Sequence, residues 1–406
     1  MINNKQKYFL LPMSLCSALV TVGVHADSVQ TEIGETTLTF SGYVKLDAIH
    51  NFDEDAGDLL FPQSVPVDGA STGSDAQGSA DGQTHFHARE TRLALTSEHP
   101  MAFGGSAKAH VEVDFFGSPG GEIFQNSNEP RVRHAFFDWN GILAGQTWSN
   151  FMPLVALPQT LDFHGPAGYV FVRQSQVRYT MDVTAGVNLA FALENPESSI
   201  AGQVGEPDSF GDIDGVDRMP DLSVQLSGTR AGLGYAVSGV VTRPEVDDGE
   251  FDDSTMGYGL MAAVSHTATG GTRVGANLGY VEGANRYILG TGGSVGAPNN
   301  FSNAYLTEDG ELETFSEVAA MAFVERPLSE QWVTNVVLGH VNTDTDSQTE
   351  AAGVDQTESF SVHGNLQYQP SERLMYGAEL QWAERTLENA NDNNLTRLQL
   401  SARYSF

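Results

Sequence analysis

The stretch RLQLSARYSF at residues 397–406 decides the fold, because polar and apolar side chains alternate along its whole length. The side chains of a β-strand point alternately to its two faces, so this period of two predicts a strand that separates two different media. Residues 38–48 and 107–115 repeat the pattern. The chain is therefore expected to consist of such strands, although a soluble sandwich and a barrel both allow alternation.

Composition narrows the class of protein. The 406 residues carry a net charge of −32, with 43 Gly and one Cys, and only 40% of them are hydrophobic. Such an acidic chain is a poor partner for nucleic acid, because binding to phosphates relies on clustered Lys and Arg. Three classes remain: an array of soluble β-sandwiches, a disordered acidic chain, and a β-barrel with an aqueous interior.

The N-terminal segment predicts export. Lys5 and Lys7 precede the mostly apolar run 8–24, and Ala26 closes a site that a signal peptidase can read. Residues 1–26 are therefore predicted to be a cleaved signal peptide, with an anchor helix as the alternative. Residues 27–406 are predicted to form a single barrel domain. Cys16 lies in the signal, so no disulfide is expected in the mature protein.

The connections favour the barrel. Short turns, such as Asn140–Gly141 and Pro370–Glu372, alternate with long loops, such as Asn51–Thr84 and Asn195–Pro220. Tight turns on one side and long loops on the other are typical of transmembrane antiparallel β-barrels of the outer membrane. The spacing predicts about 16 strands in an all-β fold, and fourteen or eighteen are also compatible with it.

The chain end and the barrel size indicate partners and a type of function. An apolar-phase Phe406 resembles the signal that such barrels present to the barrel-assembly machinery. The outside of the barrel is expected to meet outer-membrane lipid and lipopolysaccharide. A barrel of this size retains an aqueous lumen, so passage of small hydrophilic solutes is the leading hypothesis.

Basic residues concentrate in the first six predicted strands. The polar faces of these strands carry Lys45, Arg92, Lys108, Arg131, Arg133 and Arg178, and Arg173 lies nearby in the chain. Arg89 has the opposite phase to Arg92, so only one of the two is expected to face inward, and the phase of Leu93 favours Arg92. These cations predict a strip that binds small anions, since Arg grips carboxylates bidentately. Alternatively, they pair with acidic residues of the same wall: Asp47, Glu90, Glu112 and Asp114.

The long loop Ser149–Val172 differs from the other long loops. It is apolar and rich in Pro, and Asp162 is its one charged residue. The loop is therefore expected to fold inward after the fifth strand, bringing Asp162, His164 and Tyr169 close to the basic strip. Packing against a neighbouring subunit is the alternative.

Four stretches resemble a known family. Residues 42–48 (GYVKLDA), 87–93 (HARETRL) and 145–151 (GQTWSNF) are similar to the DcaP-like outer-membrane porins, as is the run 161–179. The resemblance is specific over residues 38–181 and rests on strand pattern and Phe406 thereafter. It implies a homotrimer of sixteen-stranded barrels that passes small anions, dicarboxylates such as phthalates among them.

Other readings stay open. Asn51–Thr84 holds seven acidic residues and no Lys or Arg, which favours a non-selective or weakly cation-selective general porin. An outer-membrane enzyme or a surface adhesin is a further alternative, although no catalytic motif lies in a suitable context. No cofactor or metal is expected. The acidic run Asp212–Asp217 resembles part of a calcium loop but lacks its distal Glu, and a solvated loop is the preferred interpretation.

Overall fold

The fold is known from a computed structural model. It describes residues 28–53, 57, 65–68, 82–117, 126–204, 213, 215–247, 249, 251–290, 302–352, 354 and 356–406. The predicted signal peptide lies outside these residues and stays a prediction.

Nearly all regular structure is β. In chain order the strands are β1 (Val29–Ile33), β2 (Thr36–Asn51), β3 (Gln83–His87), β4 (Arg92–Pro100), β5 (Ser106–Asp114), β6 (Arg131–Trp139), β7 (Ile142–Trp148), β8 (Arg173–Thr184), β9 (Val187–Glu194), β10 (Ile200–Gln203), β11 (Asp221–Arg230), β12 (Leu233–Thr242), β13 (Glu245–Asp247), β14 (Asp252–Ser254), β15 (Gly257–Thr267), β16 (Arg273–Glu282), β17 (Ala304–Leu306), β18 (Leu312–Thr314), β19 (Ser316–Pro327), β20 (Trp332–Thr343), β21 (Gln356–Ser371), β22 (Leu374–Leu387) and β23 (Asp392–Ser405). Among the described residues, the short helices are two 3-10 turns, Leu154–Ala156 and Asn285–Tyr287, and α1 (Ser347–Ala351).

The main sheet closes into an antiparallel barrel. Its eighteen segments make sixteen wall strands, because β3 and β4 form one interrupted strand and β1 is a short addition beside β2. Closure comes from pairing of β2 with β23, from Tyr43 opposite Ser405 to Asn51 opposite Arg397. The predicted sixteen-stranded barrel is confirmed.

The two faces of the wall have opposite chemistry. Val44, Leu46 and Leu400 are about half exposed on the outside, whereas Asp47 and Gln399 are buried inside. The alternating side chains of residues 397–406 are thus apolar on the outside and polar on the inside, as expected of a strand in contact with lipid. No helix in the described part of the chain has the length and hydropathy needed to cross a bilayer.

Aromatic side chains mark the two ends of the apolar exterior. Trp332, Tyr376 and Tyr404 lie near the short turns, and Tyr258 and Tyr280 lie near the long loops, all at least partly exposed. Aromatic girdles of this kind sit at both membrane–water interfaces of transmembrane barrels. The exterior therefore carries the expected marks of a bilayer-spanning wall.

The turns alternate as predicted. Asn140 and Gly141 both have positive φ, 50° and 81°, as a type I′ hairpin turn requires. At the other end, β10, β17 and β18 form a small separate sheet, and β13 pairs with β14. The long loops thus build structure of their own over one end of the barrel.

Candidate functional site

The loop Ser149–Val172, called the inner loop below, lies inside the barrel. Its backbone is bonded to inward-facing side chains around most of the wall. These bonds join Phe151 O to Ser238, Val155 O to Ser265 and Arg273, Gln159 O to Asn365, Leu161 N to Glu379, Leu161 O to Lys45 and Gln399, and Ala167 N to Ser361. The predicted inward fold is therefore what the structure shows.

One side of the lumen explains the apolar composition of the inner loop. Phe151, Met152 and Val170 are almost fully buried against apolar residues of β12, β15, β16, β19 and β20. Residues 168–171 also bond to residues 287–289 of a second long loop, with Val170 opposite Ile288. The hydrophobic effect therefore holds the inner loop against this half of the wall.

The opposite half of the lumen is charged. We call its basic residues and their carboxylates the arginine cluster: Lys45, Arg89, Arg92, Arg131, Arg133, Arg173 and Arg403 with Asp47, Glu90, Glu112 and Asp114. The structure thus brings Arg92, Arg131, Arg133 and Arg173 together as predicted, and Lys45 lies beside them.

Ion pairs neutralise part of this charge. Arg131 donates two bonds to Asp114, of 3.0 and 2.8 Å. Arg133 donates to Glu112 at 2.6 Å and to Asp114 at 3.1 Å, and Arg92 lies 4.0 Å from Glu112. The alternative interpretation of the sequence, pairing along the same wall, is therefore also correct for these residues.

Aromatic rings pack against the guanidinium groups. Arg131 lies 5.3 Å from the ring centroids of both Phe116 and Phe163, and Arg133 lies 5.4 Å from Phe163. Phe163 belongs to the inner loop and packs on Phe116 with centroids 4.4 Å apart. Cation–π attraction stabilises such stacks. The inner loop therefore reaches across the lumen and touches the cluster.

Two cations of the cluster differ from the rest. In the part of the chain that the structure describes, Arg173 and Arg403 have no carboxylate within salt-bridge distance. Arg173 stacks on Trp148 at 4.7 Å, and Arg403 lies 5.5 Å from the ring of Tyr43. Since rings do not cancel charge, these two residues give the cluster an excess of positive charge.

Lys45 does not act as a free cation. Its ammonium is paired with Glu90, lies 3.2 Å from Asp47 and donates to Leu161 O at 2.7 Å. The side chain is 3% exposed. Lys45 therefore holds the inner loop, with its charge already balanced.

The expectation that only one of Arg89 and Arg92 faces inward is wrong. Residues 88–91 interrupt the strand between β3 and β4, which shifts the alternation. Arg89 stacks at 5.0 Å on Phe116, which faces the inner loop, while Arg92 lies near Glu112. Both side chains therefore reach the lumen.

Lys108 and Arg178 lie outside the cluster. Lys108 is opposite Glu98 and Asp138, near the short turn at 101–105. Arg178 is opposite Leu143, whose other neighbour is Asp138. Both residues stand on inward-facing phases nearer the short-turn end, so the predicted strip is longer than the cluster.

The three inner-loop residues have mainly structural contacts. Asp162 accepts bonds from the backbone N–H groups of His164 and Gly165, at 3.0 and 2.9 Å, and Tyr169 donates to His164 O. His164 packs edge-on against Phe163 and Phe171. Burial, with Arg131 and Arg173 nearby, holds the pKa of His164 well below its usual value, so its imidazole is neutral.

Arg403 was missed although a signal for it existed. It lies on the polar phase of residues 397–406, but the predicted basic strip covered only the first six strands. Closure of the barrel makes β23 a neighbour of β2, which puts Arg403 opposite Lys45.

The calcium-like run Asp212–Asp217 lies partly outside the described residues, which include Asp217. The described residues hold no group of ligands that could bind a metal.

A closed sixteen-stranded barrel with an apolar exterior and a charged lumen crossed by an inner loop defines an outer-membrane channel of the porin type. The comparisons agree. The pattern of the DcaP outer membrane protein family matches residues 24–406. The chain therefore belongs to that family, as the resembling stretches predicted, and its place is the outer membrane.

Solved structures share the fold. The outer membrane channel DcaP of Acinetobacter baumannii is similar with a TM-score of 0.75 at 21% identity, over 93% of this chain and 99% of that one. OmpT of Vibrio cholerae gives 0.57 at 11%, over 93% and 100%. An anion-selective porin from Comamonas acidovorans gives 0.55 at 12%, over 92% and 100%. No curated protein matches the sequence.

Proposed function

We propose that the protein is an anion-preferring diffusion channel for small hydrophilic solutes, with dicarboxylates among those favoured. The observation that carries this proposal is the excess of cations in the arginine cluster, where seven basic residues face four carboxylates. Membership of the DcaP family supports passage of solutes as such. Charges that line a constriction set the ion preference of a pore.

Exposure within the cluster supports the choice of solute. The side chains of Arg131 and Arg92 are 34% and 26% exposed, whereas that of Arg133 is 3% exposed. Guanidinium groups that still meet water can exchange it for a carboxylate, and Arg binds carboxylates bidentately. A solute with two carboxylates can contact two such groups at once. The Comamonas acidovorans porin, which has the same fold, is anion-selective.

The acidic loops favour a second candidate, a non-selective or weakly cation-selective general porin. Asn51–Thr84 holds seven carboxylates and no Lys or Arg. In the chain it comes just before Arg89 and Arg92 of the arginine cluster. Such a surplus of negative charge repels the anions that the cluster attracts. The two candidates predict opposite signs of the ion preference.

Planar-bilayer recording of the purified protein tests the proposal. We expect stepwise channel openings, and a reversal potential under a KCl gradient that shows preference for chloride. Preference for potassium would establish the second candidate. Folded protein that gives no openings would instead favour an outer-membrane enzyme or a surface adhesin.

We further propose the assembly and its partners. The protein is a homotrimer, as the family resemblance implies, and one OmpT structure of the same fold is described as a trimer form. Residues 1–26 direct export and are cleaved. Phe406 engages the barrel-assembly machinery, and lipid and lipopolysaccharide surround the exterior. The mass of the detergent-solubilised protein and the N-terminal sequence of the mature chain test the first two points.

A further inference from the structure

One residue of the inner loop, Leu161, is held from two sides. The N–H of Leu161 donates to Glu379 on β22 at 2.7 Å. Its carbonyl accepts from Lys45 on β2 at 2.7 Å and from Gln399 on β23 at 2.9 Å. We call Glu379, Lys45 and Gln399 the loop clasp. It attaches the inner loop to the seam where the barrel closes.

Glu379 is the centre of the loop clasp. Its carboxylate is fully buried and faces a group of donors from the loop and the wall. These donors are Leu161 N at 2.7 Å, Asp162 N at 3.2 Å, Asn365 Nδ2 at 2.8 Å, Gln381 Nε2 at 2.9 Å and His363 Nδ1 at 3.4 Å. An ionised carboxylate offers about four acceptor sites and no donor, so it can accept bonds from several of these donors at once. A neutral amide in the same place would present a donor to some of them.

The loop clasp determines where the aromatic part of the inner loop stands. Phe163 follows Leu161 by two residues and packs on Phe116, Arg131 and Arg133. Glu379 fixes the consecutive N–H groups of Leu161 and Asp162, so little free chain separates the anchor from that ring. Movement of the anchored peptide would move Phe163 relative to the arginine cluster.

We propose that Glu379 is a positioning residue that sets the size limit of the channel by holding the inner loop against the seam. The proposal rests on the proposed function only in that solutes pass through the lumen, and not on the sign of the ion preference. Without its anchor, the loop tip moves within the lumen and the narrowest opening varies. The carboxylate thus acts on permeation without touching the solute.

The test uses variants of the full-length protein in bilayers and liposomes. Glu379→Gln keeps the shape but turns part of the acceptor group into a donor that faces the N–H groups of the loop. Gln399→Leu breaks the loop clasp without changing charge. Glu384→Gln is the matched control, because it removes a carboxylate from the opposite face of the same strand. Uncharged saccharides of increasing size serve as permeation probes in liposome swelling.

We expect Glu379→Gln and Gln399→Leu to admit larger saccharides than the wild type, with higher single-channel conductance and larger open-state noise. Glu384→Gln should behave as the wild type, and Glu379→Asp should fall between wild type and Glu379→Gln. Folded Glu379→Gln and Gln399→Leu with the wild-type size limit and noise would overturn the proposal. If Glu379→Gln does not fold, Gln399→Leu and Glu379→Asp decide in the same way.

The outcome separates this proposal from the proposed function. A wild-type channel without anion preference, combined with a raised size limit in Glu379→Gln, would refute the ion preference and support the loop clasp. The reverse combination would refute the loop clasp alone.

Discussion

Each guanidinium of the arginine cluster meets a carboxylate, an aromatic ring or both, and this partner determines what the residue contributes to permeation. Arg131 and Arg133 share Asp114, so part of their charge is cancelled at short range. Arg173 has aromatic partners, Trp148 and Phe171. Residues that have aromatic partners and no carboxylate, such as Arg173, carry the excess positive charge that attracts an anionic solute.

Arg173→Ala is predicted to lower the anion preference with little effect on folding. Among the described residues, the substitution removes a cation without leaving an ion-pair partner behind, and the lost stacking on Trp148 is worth about 0.5–1 kcal/mol. The reversal potential measures the preference, and thermal unfolding measures the stability. Arg173→Lys is the control and should keep most of the preference. An unchanged reversal potential in Arg173→Ala would remove this residue from the site.

Arg133→Ala is predicted to lower the anion preference more than Arg173→Ala does, and to destabilise the barrel wall. Glu112 loses its 2.6 Å bond and Asp114 loses one of 3.1 Å, so buried carboxylates gain unbalanced negative charge. Breaking a buried pair costs about 3–5 kcal/mol. Denaturant unfolding and the reversal potential are the measurements. A larger loss of stability in Arg173→Ala than in Arg133→Ala would contradict this ranking.

Alternation predicts which residues face the lumen only where the strands are regular. It placed Lys45, Arg92 and Arg131 correctly on the inner side. It failed for Arg89, because the break at residues 88–91 resets the phase. A bulge opposite Glu112 and Val113 likewise turns neighbouring residues of β6, Arg133 and His134, to the same side. Such irregularities depend on contacts between strands, which one sequence does not show.

At the level of elements, the inner loop fits because glycines on both sides allow close approach. Gly168 has a φ of +79°, and a Cβ there would lie 2.4 Å from His340 O and 2.5 Å from Ala320 O. On the facing wall, a Cβ at Gly339 would lie 2.2 Å from Ala167 O. The loop backbone thus lies directly on β19 and β20.

Gly168→Ala is predicted to displace the inner loop. The left-handed conformation costs an L-residue about 1–2 kcal/mol, and the added methyl group collides with backbone oxygens that cannot rotate away. We expect a lower unfolding temperature and an altered single-channel conductance. Gly270→Ala, in a short turn with no atom within 4 Å of the added Cβ, is the control and should match the wild type. Equal behaviour of both variants would show that the loop is not seated as described.

The composition of the inner loop predicted that it folds inward, since an apolar segment of this length is out of place in water. Its partners could not be predicted in the same way. Glu379 follows the inner loop by more than two hundred residues. Alternation places it on the inner face of its strand, unlike Glu384, but does not show which segment it meets there. Only closure of the barrel brings Leu161 and Glu379 together.

At the scale of the whole molecule, two charge distributions oppose each other. The net charge is −32, and the loop Asn51–Thr84 is wholly acidic in its charged residues, whereas the arginine cluster is basic. Exposed charges are screened over about 8 Å at 0.15 M salt and about 3 Å at 1 M salt, and buried charges are screened much less. Salt therefore weakens the acidic loops more than the cluster.

The anion preference is accordingly predicted to rise as KCl increases from low to molar concentration. A pore whose preference comes from exposed surface charge would lose it over the same range. Reversal potentials at a fixed concentration ratio and increasing mean concentration measure this dependence. Replacing the acidic residues of 53–81 with their amides should remove the rise, and a steady fall in the wild type would count against the cluster as the source.

The barrel architecture could be predicted from the sequence better than the site could. Alternation and the order of short and long connections recur along the whole chain, and Phe406 adds a signal at its end. An error at one strand therefore does not change the predicted fold. Phe406 bonds to Gly42 and stacks on Phe40, with centroids 5.4 Å apart, at the seam between the first and last wall strands. Its place in the fold thus agrees with the sequence pattern that marked it.

The most direct test of the central claim is the reversal potential of the wild-type channel across a planar bilayer with a KCl gradient. The excess of cations in the arginine cluster predicts stepwise openings and a potential whose sign shows that chloride crosses more readily than potassium. A potential of the opposite sign, or one of zero, would contradict the claim.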